Sequence, residues 1–300
     1  MKRLFLSALI ALISGAAIAQ TRTELYDQFS NSGAQQDTAA IAALIADWER
    51  LYPGDAELYS VRANYYFMRA FEEVVIMTDE EPAPGEEALE FVDSLGVTRY
   101  MYSKVVPNEA RIDAAKSILA EGIAKNPDRL DLREGKAYIH LRMAEYALAA
   151  QEIQSALERS VLNGNKWTGT LDKPVDGDGA APLRDNVQAF FYDLVSAEDL
   201  ASAESLVNTA VRLYPQETMY LSDKAALSYF AGDLKGAVKG YLSVLEKDPD
   251  DMLVILNVAH IYEELGDKKN AVKYYRIVAA SNEEGFAEEA NERINALTAE

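Results

Sequence analysis

The stretch "GDLKGAVKGYLSVLEKDP" (residues 232–249) is followed, 34 residues after its start, by "GDKKNAVKYY" (residues 266–275). Seven of the ten aligned positions are identical. The same interval separates other small or cyclic residues along the chain: Ala203, Ala237 and Ala271; Pro215 and Pro249; Ala115 and Ala149. A period of about 20 to 50 residues is typical of a stacked array, in which each unit buries its apolar face on its neighbours.

Each unit of this array contains two helical patterns. The first, such as "LSDKAALSYFAG" or "ILNVAHIYEELG", ends in a glycine at Gly232 or Gly266, which stops a helix and opens a turn. The second has apolar residues at the i, i+3 and i+7 positions Leu234, Ala237 and Tyr241 and closes with a proline. The pattern therefore predicts that each unit is a pair of antiparallel helices.

The residues of these units resemble the tetratricopeptide repeat family. The family pattern has a small residue three positions before an aromatic one in the first helix, and an Ala four positions before an aromatic one in the second. The matching sets are Ala259 with Tyr262, Ala271 with Tyr275, and Ala237 with Tyr241 and Pro249. The resemblance implies an all-α fold: an α-solenoid, the right-handed superhelix of helix hairpins, with two insertions and a C-terminal capping helix.

The expected organisation is a signal peptide at residues 1–19 and a single solenoid over residues 20–300. Two insertions interrupt the period. The first, residues 77–108, contains the acidic run "TDEEPAPGEEALEFVD" and is expected to be partly loop, with a short helix near residues 86–94. The second, residues 163–182, is a loop that contains Trp167 and many turn formers. The other segments are N-terminal helices at 36–75 (one at 37–51, the next from 56 to about 75), repeats at 109–162, three repeat units at 183–285 and a capping helix at 286–300.

The N-terminal residues have the pattern of an export signal. Lys2 and Arg3 precede an apolar run at residues 4–13, and Ala17-Ile18-Ala19 forms an A-x-A cleavage site. The stretch is short for a transmembrane helix, which needs about 20 residues, and no charged stop-transfer flank follows it. We therefore expect a periplasmic or extracellular protein with no membrane span.

Two triplets bear on the lineage of the protein. Asp37-Thr38-Ala39 and Asp93-Ser94-Leu95 are similar to the acceptor triplet for O-glycosylation of exported proteins in the Bacteroidetes. The resemblance implies an exported, Bacteroidetes-like tetratricopeptide repeat protein.

Composition excludes several classes of function. Cysteine is absent, which removes disulfides, thiolate metal sites and cysteine nucleophiles. Without Lys2 and Arg3, the expected mature chain has 27 basic residues against 49 acidic ones. A surface of this charge repels DNA and RNA, so nucleic acid is not an expected partner.

The chain has no recognisable catalytic, cofactor or metal motif. Its two histidines, His140 and His260, belong to units far apart in the chain and are expected to pack or to face the groove. The turn with Asp172, Asp176 and Asp178 lacks the later oxygen ligands of a helix-loop-helix calcium site and is interpreted as a solvated turn. We expect a protein that is not an enzyme, with no cofactor and no bound metal.

The family resemblance places the ligand, usually an extended peptide, on the concave face that is formed by the first helices. The residues that it places there are Ser60, Asn64, Glu134, Tyr138, Gln188, Tyr192, Ser222, Asn257 and His260. Cations that would clamp a C-terminal carboxylate are missing from this set. The leading hypothesis is a scaffold that binds another envelope protein; ordinary exposed polar positions remain the alternative interpretation. A second hypothesis is a carbohydrate-associated module, with exposed aromatic residues at Trp167, a possible loop contact, and at Tyr100 and Tyr102.

Overall fold

The structure is a computed structural model that describes residues 20–35, 37–83, 85–175, 181–281 and 284–299. The predicted signal peptide lies outside the described residues, as do Asp176 and Asp178. Three helices come first: α1 (Arg22–Ala34), α2 (Thr38–Leu51) and α3 (Glu57–Met68). Their shared core consists of Leu25, Leu44, Trp48, Leu58 and Val61.

Helix α3 is shorter than the sequence pattern suggested. It ends at Met68, whereas we expected a helix to about residue 75. The eight residues after Met68 include the β-branched run of Val74, Val75 and Ile76, which favours extended backbone over helix. The expected N-terminal helical segment at 36–75 is therefore wrong at its C-terminal end, and α1 lies before its start.

The first insertion is a β-sheet. Its strands are β1 (Phe71–Thr78), β2 (Leu89–Val92) and β3 (Thr98–Pro107), all antiparallel and in the order β1-β3-β2. The expectation of loop with a short helix near residues 86–94 is wrong, because β2 occupies the middle of that segment. Asp93 closes the β2–β3 turn by accepting hydrogen bonds from the backbone N–H groups of Leu95 and Val97, at 2.9 and 3.0 Å.

The sheet stands on the edge of the helical array. None of the described residues of its strands is buried. Val75 and Met77, which point to the same face, are 69% and 64% exposed. At the base, the Phe71 ring packs against Phe67 with ring centroids 5.4 Å apart, and the backbone N–H of Asn108 donates to the carbonyl of Ala70 at 2.6 Å.

The chain then returns to helix with α4 (Glu109–Lys125), α5 (Leu130–Arg142) and α6 (Tyr146–Asn163). Gly122 in α4 permits a close approach to α3, because a Cβ at this position would lie 2.7 Å from the Cβ of Tyr59. These three helices occupy the segment at 109–162 in which repeats were expected.

Buried charges hold the second insertion against the helices. Arg129, which is buried, pairs with Glu57 of α3 at 3.1 Å, with Asp131 at 2.6 Å and with Asp172 of the insertion at 3.1 Å. The backbone N–H of Leu171 also donates to Glu57, at 2.7 Å. This network gives the loop a defined path across α3 and the start of α5.

The C-terminal part consists of three helix pairs and a final helix. The pairs are α7 (Ala181–Ser196) with α8 (Leu200–Leu213), α9 (Thr218–Phe230) with α10 (Leu234–Leu245), and α11 (Met252–Glu264) with α12 (Lys268–Ala279); the final helix is α13 (Glu284–Thr298). One apolar core runs from Leu130 of α5 to Ile261 of α11. The α13 residues Phe286, Ala290 and Ile294 cover the last pair, as expected of a capping helix.

The turn within each pair repeats with the sequence. Asp199, Asp233 and Asp267, 34 residues apart, each cap the second helix by accepting a backbone hydrogen bond from the residue three positions later, at 2.9 to 3.1 Å. The residue before each of these caps has a positive φ of 60°, 81° and 74°, which explains the glycines at 232 and 266. The turn in each of these three pairs is therefore formed by interactions between residues that are close in the sequence.

Candidate functional site

A cavity of about 240 Å³ opens among the first helices of the three C-terminal pairs. Helices α7, α9 and α11 each contribute side chains, and α10 closes the floor. The lining residues are Arg184, Gln188, Tyr192, Glu217, Thr218, Met219, Ser222, Asp223, Tyr241, Asp251, Leu253, Val254 and Asn257. We call this site the α7–α9–α11 cavity. Four of the residues that the sequence pattern placed on the concave face meet here: Gln188, Tyr192, Ser222 and Asn257.

Asp223 is the most unusual group in the cavity. It lies in α9 and is only 1% exposed. Gln188 of α7 hydrogen-bonds to its carboxylate, but the Oδ2 atom has no hydrogen-bond partner. Burial raises the pKa of Asp223 to about 7, because the charged form loses its water.

Two tyrosines flank the carboxylate. Tyr192 of α7 is 46% exposed, so its ring is available to a ligand, while Tyr241 of α10 is buried beneath it. Asn257 of α11 forms a hydrogen bond with Tyr241, and this bond ties the floor of the cavity to the third pair. Burial raises the pKa of both phenols, and the charge of Asp223 adds to the rise.

The charge of the cavity is predominantly negative. Three carboxylates line it, from Glu217, Asp223 and Asp251, against a single guanidinium from Arg184. That guanidinium lies 3.8 Å from Glu217 and 3.7 Å from Asp185, which are ion-pair distances, and its buried Nε has no hydrogen-bond partner among the described residues. The sequence pattern did not identify Arg184, Asp223 or Tyr241 as residues of a site, because only the packing of α7, α9 and α10 brings them together.

The remaining residues predicted for the concave face lie outside this cavity. Asn64 of α3 donates to the carbonyl of Ser60, 3.0 Å away in the same helix. Tyr138 of α5 packs edge-on against Phe67, near the base of the sheet. His260 of α11 lies 3.0 Å from Glu289 and packs against Tyr275, so it contacts the capping helix.

Glu134 of α5 lies beside the first C-terminal pair. The side chain of Asn186 in α7 donates a hydrogen bond to it. Burial raises the pKa of Glu134 to about 7, and the charge of Asp131 adds to the rise. The acidic character of the α7–α9–α11 cavity thus continues toward α5.

Trp167 of the second insertion is part of the core. It is 3% exposed, and its indole N–H donates to the Ser160 hydroxyl at 3.0 Å. Tyr100 and Tyr102 in β3 are partly buried. The exposed tryptophan that a carbohydrate platform would use is therefore not found at this position, and Trp167 is placed to stabilise the loop instead.

A second depression, of about 770 Å³, lies along α9 and α10 and is more open. Lys224, Lys235 and Lys239 line it, and all three are exposed. In the part of the chain that the structure describes, no group of three acidic or histidine side chains is arranged to hold a metal ion. His140 is buried, with Nδ1 2.5 Å from Glu145, and stabilises the turn between α5 and α6.

The regular spacing of the buried alanines indicates a repeating array of helix pairs. Ala203, Ala237 and Ala271, 34 residues apart, are all fully buried in the second helices of three successive pairs. The small side chains let the helices approach closely at the same place in every pair. The described helices form an α-solenoid of antiparallel helix pairs. A three-stranded sheet interrupts this solenoid between α3 and α4.

Comparisons with known proteins find distant similarities that assign no function to this chain. No protein-family model matches the chain. The curated cellulose synthase 1 operon protein C of Komagataeibacter xylinus is 22% identical over 165 residues, which are 55% of this chain and 12% of that protein. This chain therefore spans only a small part of the length of that relative.

The solved structures that the chain is similar to include tetratricopeptide repeat proteins. One from Parabacteroides merdae ATCC 43184 is 10% identical, with 92% of this chain and 93% of that chain covered and a TM-score of 0.38. YrrB, "a TPR protein with an unusual peptide-binding site", is 14% identical, with 61% and 85% covered and a TM-score of 0.39. At such scores no residue of a site can be transferred. No helix among the described residues is long and apolar enough to cross a membrane.

Proposed function

We propose that this tetratricopeptide repeat protein is a non-enzymatic scaffold of the cell envelope, and that it binds an extended polypeptide across α7, α9 and α11. The observation that supports the proposal is the α7–α9–α11 cavity, where three successive first helices present polar side chains and one exposed tyrosine ring to the same opening. The repeat spacing makes this surface continuous along the array.

The chemistry of the cavity suits a polypeptide. Amide and hydroxyl groups from Gln188, Ser222 and Asn257 can donate to and accept from a peptide backbone. Tyr192 adds a large ring that loses little conformational freedom when a ligand packs on it. Binding sites of this kind keep their shape before the ligand arrives, because the helices that carry them are packed on a common core.

Location in the envelope rests on the export pattern at residues 1–19. The test is N-terminal sequencing of the protein purified from an envelope fraction of its host. A start at Gln20 supports export and cleavage. An unprocessed protein found with the cytoplasmic fraction would contradict the envelope part of the proposal.

The binding surface is tested by crosslinking and mass spectrometry of the tagged protein in its own host. Tyr192→Ala should reduce recovery of a stoichiometric protein partner at least fivefold. Phe230→Ala is the matched control, because Phe230 is an aromatic residue of similar exposure, 43%, that does not line the cavity. Equal loss with both variants, or a partner that is retained by both, would contradict binding at this surface.

A further inference from the structure

We propose that Asp223 anchors a cationic side chain, lysine or arginine, of the bound polypeptide. The inference rests on the proposed function, and it adds the chemical class of the residue that enters the α7–α9–α11 cavity. Two observations support it independently of any titration: a buried carboxylate oxygen that lacks a partner, and an acidic lining that the single guanidinium does not neutralise.

The carboxylate of Asp223 is only half satisfied in the free protein. Gln188 supplies a hydrogen bond to it, whereas Oδ2 is buried without a donor. A buried acceptor without a partner is costly, and a charged one more so. An ammonium or guanidinium group that enters the cavity would supply the missing donors and the opposite charge together.

The groups around Asp223 do not supply that cation. Arg184 is the one basic residue among the cavity lining, and it lies 3.8 Å from Glu217 and 3.7 Å from Asp185. Asp251 adds a further negative charge on the α11 side, where it also caps the helix by accepting from the Val254 N–H at 3.0 Å. A neutral or acidic side chain at this place would leave the carboxylates uncompensated.

The shape of the cavity also fits a long cationic side chain. Its volume of about 240 Å³ holds one such side chain, not a folded element. Met219, Leu253 and Val254 offer apolar surface to the methylene stem. The exposed ring of Tyr192 at the cavity can contact the charged head, as cations do on aromatic faces.

The first test uses four labelled peptides of nine residues each. In each peptide valine alternates with one other residue, which is lysine, arginine, norleucine or glutamate. Binding to the full mature chain is measured by fluorescence anisotropy in about 150 mM salt, where long-range attraction to the acidic surface is screened. We expect the lysine or arginine peptide to bind at least tenfold more tightly than the norleucine peptide. The glutamate peptide should not bind.

The variant Asp223→Asn should bind the cationic peptide at least tenfold more weakly than the wild-type protein does. Asp250→Asn is the matched control: it removes the same charge from an exposed carboxylate, near α11 but outside the cavity lining. Circular dichroism verifies that both variants are folded. Equal affinities of the wild-type protein and Asp223→Asn would overturn the inference, as would equal binding of the lysine and norleucine peptides.

A second measurement needs no variant. A carbodiimide couples a carboxylate to a lysine amine with loss of water, so it marks the carboxylates that the bound lysine peptide touches. Mass spectrometry should find the amide at Asp223 or at the cavity residues Glu217 and Asp251; coupling only at carboxylates elsewhere would overturn the inference. A partner that is lost with Tyr192→Ala but insensitive to Asp223→Asn would leave the proposed function standing while this inference fails.

Discussion

The sheet of residues 71–107 and the three C-terminal helix pairs are stabilised in different ways. In the helix pairs, an apolar core continues from one pair to the next and includes fully buried residues such as Phe191 and Leu206. In the sheet, the described strand residues are at least partly exposed on both faces. The sheet therefore depends on its backbone ladder and on contacts at its base, whereas the pairs depend on side-chain burial.

This difference in burial suits the helix pairs, and not the sheet, to carry a binding site. A rigid, densely packed array can hold a group that is costly to bury, such as Asp223, in a fixed position, because many other contacts maintain the site. A sheet with little buried surface cannot position groups in this way. The comparison leads to four predictions, which run from the largest expected effect to the smallest.

Truncation of a core side chain in the helix pairs should reduce the stability of the protein the most. Phe191→Ala removes a fully buried ring of α7 and should lower the free energy of unfolding by about 3–5 kcal/mol. Met77→Ala in β1 should change it by no more than about 0.5 kcal/mol, because Met77 is largely exposed. Urea denaturation measures both. Similar losses in the two variants would mean that the sheet face is covered in solution.

The buried carboxylate of the cavity should make stability depend on pH. The pKa of Asp223 is raised to about 7 from 3.8, so the folded state holds this proton more tightly than the unfolded chain does. Its contribution to stability is therefore present below about pH 4 and is lost as the pH rises to about 7. Compared with Asp223→Asn, the wild-type protein should lose roughly 2–4 kcal/mol across this window.

The control for this prediction is Glu73→Gln, which removes an exposed carboxylate from β1. Its stability difference from the wild-type protein should change little over the same window. Urea denaturation at about pH 4, 5.5 and 7.5 gives the three values for each protein. If the difference between wild type and Asp223→Asn is constant with pH, the carboxylate is not desolvated.

The space around two helical glycines predicts opposite effects on stability when each is replaced by alanine. A Cβ on Gly240 of α10 would lie 2.8 Å from the Cβ of Ala225 in α9, so Gly240→Ala should destabilise the protein by about 1–3 kcal/mol. Gly135 of α5 has its nearest neighbour, a Leu119 methyl, at 3.7 Å, and Gly135→Ala should stabilise by about 0.5–1 kcal/mol. Thermal unfolding followed by circular dichroism tests the signs. A neutral Gly240→Ala would show that the two helices separate easily.

Removal of the whole sheet should have the smallest effect. The N–H of Asn108 already hydrogen-bonds to the carbonyl of Ala70, so two glycines can join these residues in place of residues 71–107. We expect the helical circular dichroism signal to persist and the melting temperature to fall by no more than about 4 °C. Binding of the lysine peptide should be unchanged. Loss of the helical signal would show that the sheet supports the array.

The strands could have been recognised from the sequence, at least in part. "FEEVVIMT" and "TRYMYSKVVP" are rich in β-branched and aromatic residues, and "PAPG" between them marks a turn. The repeat period favoured the continuation of α3 over this local signal. The alternation of apolar and polar residues that usually marks a strand is also missing, because both faces of this weakly buried sheet carry apolar and charged residues together. The helices from α4 onward were predictable, since their apolar stripes follow the repeat.

The sequence alone determined the solenoid, its turns and its capping helix. Each of these depends on residues a few positions apart, such as Asp233 and Gly236, and the 34-residue period reproduces the same local interactions in the three C-terminal pairs. Only the tertiary structure decided which polar residues are buried. Asp223 and Trp167 lose their water because helices and loops distant in the chain close over them, and no pattern within their own segments encodes that closure.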